Sequence, residues 1–299
     1  MTYKREHWVT SGNLSLYAVA EGKVDATPLV LVHGYPDNHR IWDDVVEVLG
    51  QSYFIIRYDV RGAGRSEKPK RARDYRMALL ARDLEAVVDA IIPDRDFHLA
   101  AHDWGAIQSW ESVTSGRLQS RVASYTSISG PCLDHVAFWV RRRITDVFDG
   151  GTRAVAQQLA RSWYVAFFQL PLLPELAWRA GLDRAWPSLL SRREGVTKAH
   201  TNTHQRSDGR YGVNLYRANI IPRLRHPEAR HARCPVQIII PTRDRYVGSP
   251  LFSNQVSWTG KLTRVELDAP HWVLLTDPGR VAGKLDQFIS DVRNSSPVA

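Results

Sequence analysis

Asp103 stands in the run Ala101-His102-Asp103-Trp104-Gly105, between a short apolar stretch, Phe97 to Ala101, and a helix-like stretch, Ala106 to Val113. It therefore sits where a strand turns sharply into a helix. Ala101 and Gly105, two positions to either side, are small, as a turn that crowds its own backbone requires. This is the pattern of a nucleophile elbow, with Asp at the nucleophile position. A carboxylate has a reference pKa of about 3.9, so at neutral pH it is ionised and attacks without a base. Its targets are carbon centres that form stable alkyl esters.

An acid and a base follow in the order that this chemistry uses. Asp244 comes after Val236-Gln237-Ile238-Ile239-Ile240-Pro241-Thr242-Arg243, and His271 after Leu267-Asp268-Ala269-Pro270, each just beyond a strand-like run. With eleven histidines in the chain, one His alone carries little meaning. The ordered placement of all three groups at strand ends carries the assignment. His33-Gly34-Tyr35-Pro36 follows another strand, Leu29 to Val32. Gly34 and Pro36 suit a sharp loop, compatible with a cis proline, and the backbone N–H groups of Tyr35 and Trp104 are candidates for an oxyanion hole. The Gly-x-Gly of Asp59-Val60-Arg61-Gly62-Ala63-Gly64-Arg65-Ser66 has Glu67 where a dinucleotide fingerprint needs its third glycine, so it reads as a structural loop.

The elements that must position these groups alternate. Strand-length apolar runs at 29–32, 53–58, 97–101, 122–128, 236–240 and 262–267 are separated by helical segments. That is the pattern of a mostly parallel sheet covered on both faces, with functional groups at the carboxyl ends of its strands. After Pro131 the alternation stops. Residues 134–225 contain helical stretches rich in Trp, Leu and Arg, including Thr152 to Phe168 and Leu173 to Ala180. We expect an α/β core at 1–133 and 226–299, a helical cap at 134–225 inserted between two strands, and a frayed tail at 294–299.

Composition sets the limits. The 299 residues are 43% hydrophobic and 24% charged, as in ordinary globular proteins. The formal charge of +9 reads as a solvated basic surface, because no nucleic-acid-reading motif accompanies the scattered arginines. Two cysteines, Cys132 and Cys234, suggest neither a zinc site nor a disulfide framework. The N-terminus lacks the apolar stretch of a signal peptide, and no run approaches the roughly 20 apolar residues of a membrane span. A cytoplasmic enzyme is expected, with a homodimer left open.

The chain resembles the α/β-hydrolase superfamily and, within it, the epoxide hydrolases. The likeness covers nearly the whole length. It is carried by His33-Gly34-Tyr35-Pro36, Asp59 to Ser66, His102-Asp103-Trp104-Gly105, Asp244-Arg245-Tyr246-Val247 and Pro270-His271-Trp272. In that family one cap tyrosine lies a few residues before a Phe-Gln-x-Pro run and a second lies in a later Tyr-Arg pair. Here Tyr164 precedes Phe168-Gln169-Leu170-Pro171, and Tyr216 precedes Arg217. Tyr211 rivals Tyr216, but at five residues' distance it points about 140° away on a helix, and only the Tyr-Arg resemblance selects Tyr216.

The resemblance implies a two-step reaction without metal or organic cofactor. Asp103 opens an epoxide while Tyr164 and Tyr216 protonate the departing alkoxide. His271, held by Asp244, then activates the water that hydrolyses the ester to a diol. A haloalkane dehalogenase shares the Asp nucleophile, but halide needs no proton, and Tyr35 stands where that family usually has a donor such as Asn. Fluoroacetate-type dehalogenases typically carry Arg directly after the nucleophile, where this chain has Trp104. A catalytically silent binding protein would be expected to lack one of the groups. Pro270 departs from the glycine that often precedes the family's histidine. Trp163, Phe167, Phe168, Leu172, Leu173 and Trp178 are expected to supply an apolar pocket. The nearest likeness is to the hydrolase part of bacterial epoxide hydrolase/short-chain dehydrogenase fusions, and because the chain stops after that part, no dehydrogenase activity is expected.

Overall fold

The computed structural model describes residues 3–145, 150–197 and 202–295. The core runs β1 (Tyr3–Ser11), β2 (Leu14–Gly22), β3 (Thr27–Val32), α1 (Asp43–Leu49), β4 (Tyr53–Tyr58), α2 (Met77–Ile91), β5 (Phe97–His102), α3 (Trp104–Thr114) and β6 (Val122–Ile128). Six helices follow: α4 (Leu133–Thr145), α5 (Gly151–Arg161), α6 (Trp163–Gln169), α7 (Leu173–Ala177), α8 (Asp183–Glu194) and α9 (Gln205–Arg225). The core resumes with β7 (Val236–Pro241), β8 (Leu262–Leu267), α10 (Val273–Thr276) and α11 (Pro278–Ser295).

The strands form one eight-stranded sheet in the order β1-β2-β4-β3-β5-β6-β7-β8. β2 runs antiparallel to β1 and β4, and the remaining pairs are parallel. Every residue of β4, β5 and β7 is buried, which is why those strands read as unbroken apolar runs. Alternate side chains serve two cores. Val30, Val32, Leu99 and Ala101 join α2 and α3 on one face, whereas Leu29, Leu31 and Ala100 join α1 and α11 on the other.

The sheet begins two strands before the first apolar run. β1 is Tyr-Lys-Arg-Glu-His-Trp-Val-Thr-Ser, an edge strand largely open to solvent, so its polarity hides it from a search for buried runs. The expected helix over Thr152 to Phe168 is broken at Ser162, whose φ of −92° and ψ of 17° end α5 and redirect α6. The stretch expected from Leu173 to Ala180 leaves α7 through a wider turn at Trp178–Leu182. α11 includes Asn294 and Ser295, so these two are helical rather than frayed, and the rest of the expected tail, 296–299, lies outside the described residues.

β5 lies between β3 and β6, with Val32 level with Ala101 and His102 level with Ile128. The loop after β3 and the turn after β5 therefore leave the sheet side by side. α9 is anchored over them: Asn219 accepts the Met77 N–H at 3.0 Å and donates to the Tyr75 carbonyl at 2.8 Å, and Asp208 accepts the Gly64 N–H at 2.9 Å. Among the described residues, no helix is long and apolar enough to cross a membrane.

Candidate active site

Asp103 occupies the residue between β5 and α3 with φ 52° and ψ −124°. A non-glycine residue held there costs roughly 1–3 kcal/mol, and such strain collects where a side chain must be presented. Its Oδ1 accepts the Tyr35 N–H at 2.7 Å. Gly34 makes that approach possible, since a Cβ there would lie 2.4 Å from Oδ1. At Gly105 a Cβ would lie 2.4 Å from the Val32 carbonyl oxygen. Trp104 opens α3, and its N–H is among those without an intrahelical acceptor. His33 holds the neighbouring loop: Nε2 accepts the Val60 N–H at 2.9 Å and Nδ1 donates to the Gly34 carbonyl at 2.8 Å. Burial lowers this imidazole to about 4, so it is neutral. The Tyr35–Pro36 bond is cis.

His271 lies between two carboxylates. Its Nδ1 is 2.7 Å from Asp244 Oδ2, and its Nε2 is 3.6 Å from Asp103 Oδ2. Asp244 Oδ1 accepts the N–H groups of Tyr246 at 2.7 Å and Val247 at 2.9 Å. Burial works against charge on both partners. It is outweighed by their mutual attraction and hydrogen bonds, which hold His271 well above the ordinary imidazole range and Asp244 below the ordinary carboxylate value. The Asp103 carboxylate contributes to holding the proton on His271.

Tyr164, from α6, and Tyr216, from α9, meet with ring centroids 6.0 Å apart at 84°. Tyr216 packs edge-on against Trp104 at 4.6 Å, while Tyr164 packs against Tyr246 at 5.6 Å, whose ring touches His271 at 5.0 Å. Burial is the main cause that pushes both phenols well above their ordinary value, and the Asp103 charge adds to it. Tyr211 lies beneath the Arg210 guanidinium, 5.5 Å from its centre. Arg217 sets the spacing of the tyrosines from behind. It donates to the carbonyls of Phe168 at 2.9 Å and Leu170 at 2.6 Å and pairs with Glu175, tying the end of α6 and all of α7 to α9. The Tyr35 hydroxyl is engaged with the Gly209 carbonyl and the Trp178 indole N–H, at 3.0 and 2.9 Å.

The expected apolar pocket is divided. Phe168 packs against Tyr35, Tyr164 and Tyr216, and Trp178 against Tyr35. Trp163, Leu172 and Leu173 instead face outward, at 67%, 70% and 52% exposure. Trp163 opens α6 directly after the break at Ser162, whereas Leu172 and Leu173 lie beyond Leu170, where that helix has ended.

Four residues beside the site carried no separate signal in the sequence. His102 Nε2 donates to the His271 carbonyl at 3.0 Å, and Glu194, on α8, accepts the His271 N–H at 3.1 Å. Gln158, on α5, donates to the Tyr246 carbonyl at 2.9 Å and accepts the Gly248 N–H at 3.0 Å. Tyr246 is the fourth. His102 and Tyr246 adjoin predicted residues, but Gln158 and Glu194 are distant in sequence and nothing local marks them. The Gly-x-Gly loop is internally tied, with Arg61 on Asp83 and Asp59 accepting the N–H groups of His39 and Arg65. Among the described residues, no cluster of three or more His, Cys, Asp or Glu could hold a metal ion.

Comparison with known proteins adds the family context. The model of the alpha/beta hydrolase fold matches residues 27–278. "Probable oxidoreductase EphD" of Mycobacterium tuberculosis is 34% identical over 279 residues, 90% of this chain and 46% of that protein. "Epoxide hydrolase 2" of Caenorhabditis elegans is 28% identical over 169 residues, 56% of this chain and 43% of that one. The chain thus spans about half the length of these curated relatives. Among solved structures, an epoxide hydrolase of Bacillus megaterium in complex with an inhibitor superposes with a TM-score of 0.79 at 20% identity, over 95% of this chain and 100% of that one. An epoxide hydrolase from metagenomes of hot environments gives 0.69 at 20%, over 95% and 98%.

Proposed function

The chain belongs to the α/β-hydrolase family, and from that premise we propose that it is an epoxide hydrolase acting on apolar epoxides, with residues 134–225 as its cap. One observation carries the reading: the half-buried Tyr164 and the buried Tyr216 converge with ring centroids 6.0 Å apart, Tyr216 packing on Trp104 next to the elbow. An alkoxide is a poor leaving group unless it is protonated, and a phenol that stays protonated at neutral pH supplies that proton. Halide departure needs no such donor.

In the first step Asp103 attacks an epoxide carbon, the C–O bond breaks, and Tyr164 and Tyr216 stabilise and protonate the oxygen. The product is a hydroxyalkyl ester. Alkylation also removes the negative charge 3.6 Å from His271 Nε2. The imidazolium then holds its proton less tightly and restores the one that the phenol gave. Neutral His271, oriented by Asp244, is now a base for water. Hydroxide adds to the ester carbonyl, and the oxyanion is held by the Tyr35 and Trp104 N–H groups. Collapse breaks the ester C–O bond, the departing diol oxygen takes the proton of the added hydroxyl, and Asp103 is left ionised with His271 protonated as at the start. The imidazole is thus a base only after the ester exists.

The direct test is to incubate the protein with styrene oxide and analyse for the diol. Diol formed by the parent and absent with Asp103→Asn supports the reading. A bromoalkane that releases bromide faster than styrene oxide yields diol would favour dehalogenation instead.

A further inference from the structure

Residues 134–225 contain fifteen Lys and Arg against seven Asp and Glu, a net of +8, which leaves +1 of the chain's +9 to everything else. The same segment gathers exposed apolar surface. Leu159, Trp163, Leu170, Leu172, Leu173 and Leu176 are all open to solvent. Single exposed apolar side chains are ordinary, but six within residues 159–176 form a patch of the kind that marks an interaction surface.

The geometry gives this patch one direction. Within α6, Trp163 and Ala166 are three apart and share its exposed side, with Leu159 exposed near the end of α5 and Leu170 exposed just past the end of α6. Tyr164, Val165 and Phe168, on the other side, pack against the core. α6 has no charged residue and no fully buried one. A helix apolar on all sides is ordinarily buried on all sides, whereas here one side faces the site and the other faces out. Leu172 is held outward at φ 66°, a region that favours glycine. Arg153 and Arg161, on α5, and Arg179, in the turn after α7, are exposed.

We propose that this face docks on the surface of an anionic phospholipid bilayer. The Trp and Leu side chains enter the boundary between headgroups and acyl chains, and the arginines meet lipid phosphates. A second copy of the chain would set +8 against +8, and leucines give nucleic acid no stacking platform. Docking stands independently of which electrophile Asp103 takes. It would place α6 between an apolar reservoir and the site.

Co-sedimentation of the full chain with vesicles tests this. Phosphatidylcholine vesicles containing phosphatidylglycerol should bind the protein at least about tenfold more tightly than phosphatidylcholine alone, and added salt should weaken the binding. Trp163→Glu with Leu173→Glu places acids at the first positions of α6 and α7, where helices accept them. This variant should keep its melting temperature and lose at least about tenfold in vesicle affinity. Arg153→Glu with Arg179→Glu should do the same without touching an apolar side chain. Equal binding to both vesicle types, no binding, or variants that bind like the parent would overturn the proposal. So would a dimer, seen by light scattering, that the Trp163 and Leu173 changes abolish.

Discussion

On the sheet side of the site, Asp103, Asp244 and His271 stand one, three and four residues beyond the ends of β5, β7 and β8. Their orientation is set largely by nearby backbone: a positive φ at Asp103, a glycine at 34, two N–H groups on Asp244. On the other side, Tyr164 and Tyr216 come from two helices whose spacing depends on Arg217 reaching across to Phe168, Leu170 and Glu175. The sheet side is built by backbone groups where neighbouring strands end together, and the helical side by side-chain ties between helices. The proposed chemistry divides along the same line, with the phenols needed to form the ester and the imidazole to break it.

The largest effects should expose that division. Asp103→Asn, which tolerates the positive φ, should reduce turnover by at least about 10⁴-fold while leaving the melting temperature within a few degrees, as steady-state rates and calorimetry would report. His271→Gln should be nearly as inactive, yet mass spectrometry should find it carrying the hydroxyalkyl adduct on Asp103. Tyr164→Phe with Tyr216→Phe should lose about 10³-fold and carry no adduct. An adduct accumulating in the tyrosine variant would break the division.

Stability should depend on pH through groups on both sides. Burial lowers His33, His98, His102 and His135 to about 4 and raises Asp37 and Asp208 to about 7. Near pH 5 the unfolded chain takes up protons on four imidazoles that stay neutral when folded, and the folded chain keeps two on carboxyls that ionise when unfolded. On balance the unfolded state binds more protons near pH 5, so stability should fall as pH drops from 6 toward 4. Urea titrations at several pH values would measure the slope, and a stability that rises on acidification would contradict it.

A smaller effect is expected where the two sides meet. Glu194 accepts the His271 backbone N–H from α8, and under the proposed mechanism it positions that residue for the second step. Glu194→Ala should slow ester hydrolysis about tenfold and leave ester formation unchanged. Rapid-quench measurement of both steps would distinguish this from a general loss of structure, which would slow them together.

What could be read from the chain follows from the same contrast. The central parallel strands and the residues after them were legible because burial makes those strands apolar runs and sharp turns favour Gly or Asp, while the edge strand β8 showed only through its Leu and Val positions. β1 was not, because an edge strand that faces water need not be apolar. The tyrosines could be named from their sequence neighbours, but the outward positions of Trp163, Leu172 and Leu173 could not, since an apolar side chain in a helical segment reads the same whether it faces the site or solvent. Gln158 and Glu194 escaped for a related reason: each acts through hydrogen bonds between segments far apart in sequence.

The central claim is that Asp103 forms a covalent bond to the substrate. A single turnover of styrene oxide in ¹⁸O-water, with enzyme in excess, tests it most directly. The account predicts that the label enters the Asp103 carboxylate and the first diol released is unlabelled, because water attacks the ester carbonyl. Label appearing in that first diol, with none on Asp103, would show that water attacks the epoxide itself and would contradict the account.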